Sequence, residues 1–384
     1  MMKVLFVTRG FPSNNDIMMG NYEAVQAKAL AAKGCQVGVI TNKERSIRYL
    51  HKMGVITQRE VDGVTVYEGT SISLSIRFIG RINKYTRKWS FRKIYKKYVE
   101  DYGVPDIVHA HIVSLAYTSL FLKDEQNLPF VITEHWTKMN DLTIPKHLRK
   151  MSIAYHHADK VICVSKNLAD SLKKNFNVNS IVINNMVSDH FFNSSRNERH
   201  DYCFKFIAVG AFRRNKGFDI LVDAFAKCGF PTNISLSIVG DGEERTLIES
   251  KIQEYGLSDQ IKLLGVKTPE EVDGLLCGSD CFVLSSRLET FAIVIIEAMA
   301  KGLPVIATRS GGPESFLRVE HGLLVQKENV DELSNAMRYM LKHYSDYNSD
   351  SIKKYCYNHF SQDVIANKII NVYDTVLKNY KQRD

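Results

Sequence analysis

Two carboxylates eight positions apart, Glu289 and Glu297, bracket the stretch "ETFAIVIIE". Glu297 stands in an apolar run with Ile295, Ile296, Ala298 and Met299 beside it. A carboxylate held there costs several kcal/mol unless something pairs with it. At ~100° per residue the two side chains differ by ~80° around a helix, so both can border one ligand. Two readings stand on spacing alone. Glu297 either accepts two hydrogen bonds from adjacent sugar hydroxyls, such as those of a ribose, or forms a structural ion pair.

The surrounding block, "CFVLSSRLETFAIVIIEAMAKGLPVIAT", reads as strand, turn, helix, loop and strand. Thr290 is expected to be the N-cap, which leaves the N–H groups of Phe291, Ala292 and Ile293 free at a helix start. Such donors, with the positive end of the helix dipole, suit a phosphate. Upstream, "VGAFRRNKGFDILVDAF" places Arg213, Arg214 and Lys216 in the loop after a strand that ends near Gly210. Cations there can neutralise a leaving diphosphate in place of a metal, unless the loop is merely a solvated one. The chain has no Asp-x-Asp pair for a metal-bound diphosphate. "SIVGDGEER" imitates a dinucleotide fingerprint, but Arg245 stands at the third glycine position and the next strand, "IKLLG", ends without an acid for the ribose. These departures count against NAD.

In the first half, Gly20 and Asn21 open a helix after the loop that follows the first strand, where a ligand can approach the backbone unless Gly20 is only a turn residue. His109, His111 and His135 end strands "DIVHAH" and "VITEH". Strand-terminal residues of a parallel sheet face the ligand side. A satisfied, partly buried histidine is the competing reading, above all for His109. No ligand spacing supports a metal site.

Strand-like apolar runs alternate with helical patterns along the whole chain, which predicts an α/β architecture of two doubly wound, Rossmann-like domains facing a central cleft. The expected boundaries are 1–190 and 204–360. A polar linker at 191–203 joins them, and a helix over 361–384 packs back on the first domain. A length of 384 residues accommodates two cores. No run is long enough to cross a bilayer, the N-terminus reads as a first strand rather than a leader, and seven scattered cysteines read as reduced thiols. A cytoplasmic protein is expected. The net charge of +9 comes from 77–97, which holds nine basic residues and no acidic one; without them the basic and acidic residues balance at 42 each. A helix there carries Phe91, Ile94, Tyr95, Tyr98 and Tyr102 on one face and cations on the other. It suits either contact of 77–102 with anionic lipid or an aromatic face packed on the core. No nucleic-acid motif accompanies the charge.

The Glu-x7-Glu block, "VGAFRRNKGFDILVDAF", "IVGDGEE", "LLG" and "IATRSGGPESF" occur in this order. Together they resemble the retaining glycosyltransferases of family 4, which have the GT-B fold. The resemblance runs through the second half; in the first half it covers the general frame. It implies a metal-independent enzyme moving a sugar from a UDP- or GDP-linked donor to a saccharide or lipid-linked acceptor, with no cofactor. By the resemblance Glu297 holds the ribose. Glu289, Thr290 and the backbone of Phe291 and Ala292 hold the donor sugar and diphosphate. Gly20, Gly210 and Val266 also line the donor. Lys216 and Arg213 hold the leaving diphosphate, His135 lies at the reacting centre, and His111 and Asn21 lie on the acceptor side. Two positions depart from the family. Ala292 stands where Gly is usual, and Ala211 where Arg is frequent, so Arg213 of a Phe-Arg-x-x-Lys variant is taken as the second cation. A nucleotide-sugar epimerase or hydrolase, or an inactive nucleotide-sugar-binding scaffold, remains an alternative.

Overall fold

The computed structural model describes residues 1–13, 19–73, 80–140, 144–193 and 203–382. The chain divides into two compact units, one made of Met1–Met186 with Gln362–Asp384 and the other of Val187–Ser361. The boundary therefore precedes the polar stretch 191–203 expected as a linker. Phe191 is buried in the second unit, and 194–202 lie outside the described residues.

The first unit is built on an eight-stranded sheet in the order β3-β4-β2-β1-β5-β6-β7-β8. Its strands are β1 (Lys3–Thr8), β2 (Gln36–Arg45), β3 (Ile56–Val61), β4 (Val64–Ile72), β5 (Ile107–His111), β6 (Phe130–Glu134), β7 (Lys160–Cys163) and β8 (Ile181–Val182). All pairs are parallel except β3 with β4, which Asp62 and Gly63 join as a hairpin. Strand order reverses between β1 and β5, and at such a switch point the carboxyl ends leave a crevice for ligands. Val4, Phe6, Val39, Ile107, Val131 and Ile162 fill the core. The helix Gln362–Lys381 returns to this unit and adds Ile365, Ile369, Val372, Tyr373 and Val376. These are the positions its 3.6-residue period singles out, except that Val364 stays half-buried.

The basic segment forms the helix Gly80–Tyr102; Arg77 and the Arg81 side chain lie outside what is described. Phe91, Ile94, Tyr95 and Tyr98 are buried, and Ile94 and Tyr98 close over Gly69 of β4 and Gly38 of β2. Several cations have acidic partners. Arg87 pairs with Glu44, Arg92 and Lys88 share Glu125, and Lys97 lies 2.6 Å from Asp101. The aromatic face thus belongs to the core, and much of the cationic face is neutralised locally.

The second unit has six parallel strands in the order β11-β10-β9-β12-β13-β14. They are β9 (Phe204–Val209), β10 (Ile234–Val239), β11 (Ile261–Leu263), β12 (Cys281–Leu284), β13 (Val305–Thr308) and β14 (Gly322–Val325). This is the 3-2-1-4-5-6 order of doubly wound sheets, with its switch point between β9 and β12. Near-continuous apolar strands such as "CFVL" are expected where helices cover both faces. Phe206, Ile238, Val283 and Ile306 pack against Leu221, Phe225, Leu333 and Met337 of the flanking helices. The two crevices expected at sheet edges, after β9/β12 and after β1/β5/β6, follow from these two reversals.

Candidate active site

In the second unit the loop after β9 carries Arg213 and Lys216, and the loop after β12 carries Glu289. Lys216 Nζ donates to Glu289 Oε1 at 2.7 Å, and Ser286 Oγ donates to the same oxygen at 2.7 Å. The Glu289 backbone N–H donates to Ser310 O at 2.8 Å, which fixes the carboxylate from the main chain. Arg213 is exposed and forms no ion pair among the described residues, so its charge is available beside that of Lys216. Gly210 directly follows β9, with its N–H donating to Val239 O.

Arg287 joins the two loops. Its guanidinium grips Asp219 at 2.9 and 2.7 Å and donates to Arg214 O at 2.7 Å, while its own N–H donates to Asn215 O at 2.8 Å. Burial opposes ionisation of Asp219, yet the Arg287 fork holds its carboxyl below the usual range. Neither residue is singled out by the sequence reading. The available signal is an Arg in the turn between a buried strand and Glu289, matched by an Asp on a helix start.

The helix after this loop runs Ile293–Ala300, and its N-cap is Ala292 rather than Thr290. Ala292 adopts the left-handed region at φ 71°, and no side chain caps the helix. The helical N–H groups therefore begin at Ile293, and Thr290 is a buried loop residue. Phe291 is not free for a ligand through its ring, which packs on Phe316 and Phe360. An L-residue with this φ costs about 1 kcal/mol. Ala292→Gly is expected to raise the melting temperature by a degree or two, part of the relief being offset by the freer unfolded chain. Differential scanning calorimetry of the two proteins checks this; an unchanged or lower melting temperature would mean that Ala292 is unstrained.

Glu297 lies in the second turn of that helix. It is half-buried and has no hydrogen-bond or ion-pair partner among the described residues, which removes the structural ion pair as an explanation. Burial pushes its carboxyl up to about 7. Val266, after β11, is 63% exposed and offers the open surface that a flat ring can cover.

In the first unit, Gly20 is the N-cap of the helix Asn21–Ala32 at φ 72°, where an added Cβ would lie 2.1 Å from Gly10 O. Only glycine fits both constraints. Asn21 is the first helical residue and is half-buried. His111 ends β5, and His135 directly follows β6. The Nε2 atoms of both are buried and lack a hydrogen-bond partner among the described residues. His109 is a satisfied core histidine. It bonds Tyr373 Oη at 2.5 Å and Thr133 Oγ1 at 2.7 Å, and burial, aided by His135, pushes its imidazole down to about 3. Burial, with the neighbouring His109 and His135, likewise holds His111 well below the ordinary histidine range.

A third group joins these two. Glu23, in the first turn of Asn21–Ala32, is buried with its Oε1 3.7 Å from His135 Nε2. The ligand atoms of Glu23, His111 and His135 all lie within 4.8 Å of one another. The sequence reading misses Glu23, because an acid in the first turn ordinarily answers the helix dipole. Its spacing to Ala27 and Leu30, on the buried stripe, is the signal that could have found it. Ile112, between His111 and the next helix, has φ 62°, an outlier for a β-branched residue at a site-forming turn.

Comparison with known proteins adds the family. The model for glycosyl transferases group 1 matches residues 191–359, and the model for glycosyltransferase family 4 matches residues 20–191. An uncharacterized glycosyltransferase of Methanocaldococcus jannaschii is 34% identical over 247 residues, which is 63% of this chain and 66% of that protein. The chain thus spans just under two thirds of that relative. The lipopolysaccharide core biosynthesis glycosyltransferase LpsE of Rhizobium meliloti is 33% identical over 132 residues, 34% of this chain and 37% of that protein. Among solved structures, sucrose-phosphate synthase from Thermosynechococcus elongatus aligns with a TM-score of 0.79 at 20% identity, covering 99% of this chain and 100% of that one.

Proposed function

Because the chain belongs to the group 1, family 4 glycosyl transferases of GT-B fold, and so is a glycosyltransferase, we propose that it moves a sugar from a nucleoside diphosphate sugar to a saccharide or lipid-linked saccharide with retention of configuration and without a metal. The observation that carries this reading is Glu297, a carboxylate driven toward neutrality by burial and left without a partner among the described residues, in the helix that follows Glu289. Two vicinal ribose hydroxyls supply the missing donors. Lys216 and Arg213 offset the charge that develops on the leaving diphosphate, a role a metal plays elsewhere. Lys216 has three N–H donors and spends one on Glu289, which leaves two for phosphate oxygens. Glu289 then orients Lys216 and one face of the sugar. His135 stands at the carboxyl end of β6 for the reacting sugar, and His111 for the acceptor side.

Cell-surface polysaccharide or glycoconjugate synthesis is the favoured setting, supported by the likeness to a lipopolysaccharide core enzyme. No described helix is long and apolar enough to cross a membrane. Any lipid contact of the basic helix would fall to Lys84, Lys93 and Lys96, since its apolar face is occupied.

Thermal unfolding with UDP, GDP, ADP or NAD, each with EDTA, tests the reading. A ligand at 100 times its Kd adds about 2.7 kcal/mol. A raised melting temperature with UDP or GDP despite EDTA is expected. A response to NAD alone would overturn the donor site, and a nucleotide response abolished by EDTA would overturn metal independence.

A further inference from the structure

We propose that Glu23, His111 and His135 form a binding site for a zinc-type divalent transition ion, with one coordination position left open. Two imidazoles and one carboxylate are a ligand set that zinc and its neighbours take with a fourth, exchangeable position. Three features of the first unit build it. Both imidazole Nε2 atoms are buried without a hydrogen-bond partner among the described residues, an arrangement that costs free energy unless a ligand is present. The three ligand atoms converge from rigid elements: the end of β5, the end of β6 and a first helical turn that Gly20 pins against Gly10. His109 stacks on His111 with ring centroids 4.6 Å apart, which fixes the ligand's ring from behind, and uses its own nitrogens on Tyr373 and Thr133.

Bonds of about 2.0–2.1 Å in a tetrahedral site put donor atoms roughly 3.4 Å apart. The Glu23–His135 separation of 3.7 Å is already near this, and small side-chain rotations bring in His111. Such an ion would occupy His135, so it would inhibit the sugar transfer rather than serve it. That consequence rests on the function proposed above; the binding itself does not.

The test is a cobalt titration of the full chain after EDTA treatment and desalting, read by the visible absorption of tetrahedral Co2+ and by its displacement with Zn2+. The wild type is expected to saturate at one ion per chain. Glu23→Gln and His111→Asn should each bind roughly 100-fold more weakly or worse, since loss even of an outer-shell partner costs 10–100-fold. His157→Ala should bind as the wild type; it removes an exposed imidazole whose neighbour is Asp124. Metal-free melting curves show whether each variant folds, and the isosteric Glu23→Gln decides alone if His111→Asn does not. No saturable band in the wild type, or equal affinity in Glu23→Gln, overturns the site. Zn2+ inhibition of transfer, reversed by EDTA, is the further expectation. If no acceptor can be found the titration still stands, so failure of the transferase reading and failure of the metal site are told apart.

Discussion

Lys216→Met is expected to lower kcat by 10²–10³-fold, the range typical of losing one preorganised group aimed at developing charge. The methionine keeps an unbranched stem of similar reach, so the loss isolates the ammonium. On the proposed function the charge it answers appears on the diphosphate as the glycosidic bond breaks, so kcat and kcat/KM should fall together rather than KM alone rising. The variant also removes the Lys216 ammonium from beside Glu289, which is only 6% exposed. Its melting temperature should therefore fall as well. Steady-state kinetics with varied donor checks the first claim. A rise in KM with kcat unchanged would move Lys216 from the reacting diphosphate to ordinary donor binding.

The second large effect sets stability against function at one atom pair. Glu297→Gln should cost about 3 kcal/mol of donor binding, roughly 100-fold in Kd, because two hydrogen bonds to a carboxylate become weaker or reversed ones. The same variant should be the more stable one when empty. In the folded chain the carboxyl titrates near 7 against an ordinary 4.5, so ionising it in place is unfavourable. That penalty is absent below pH 4.5, grows as pH rises and is complete above 7, where it reaches up to about 3 kcal/mol. Glu297→Gln removes it, so the stability gain appears at pH 8 and vanishes at pH 4. Wild-type donor affinity should run the other way across the same range, weakening as pH falls through 7 because a proton competes with the ribose. Melting curves at pH 4, 6 and 8, with and without UDP or GDP, read all of this. An unchanged donor response in the variant would remove Glu297 from the site.

Most of the second unit was legible because its chemistry is local in sequence. Five of its six strands are short apolar runs, and Lys216 and Glu289 sit in loops that strand order alone brings together. Two losses there have physical causes. β14 opens on Gly322, a poor strand former, and is flanked by polar residues on both sides. Thr290 looked like the cap because hydroxyls usually are, whereas the chain instead turns through a left-handed alanine. In the first unit β3 and β4 went unread: "ITQREV" alternates with its exposed face full of polar groups, and only the Asp62–Gly63 pair announced the hairpin. Glu297 was visible as an oddity against apolar neighbours. Glu23 was not, since its partners stand 88 and 112 positions away and only the fold makes them neighbours.

The return of the helix Gln362–Lys381 to the first unit has a consequence for synthesis on the ribosome. The N-terminal unit is made first but is finished last. Between Met186 and Gln362 lie about 175 residues of the other unit. At roughly 5–20 residues per second that is an interval on the order of 10–35 s. Throughout it the strip of the first unit that Ile369, Tyr373 and Val376 will cover stays wet. The nascent first unit is thus a half-closed body that a chaperone or a neighbouring nascent chain can reach, and its final locking waits until Gln362–Lys381 has been made.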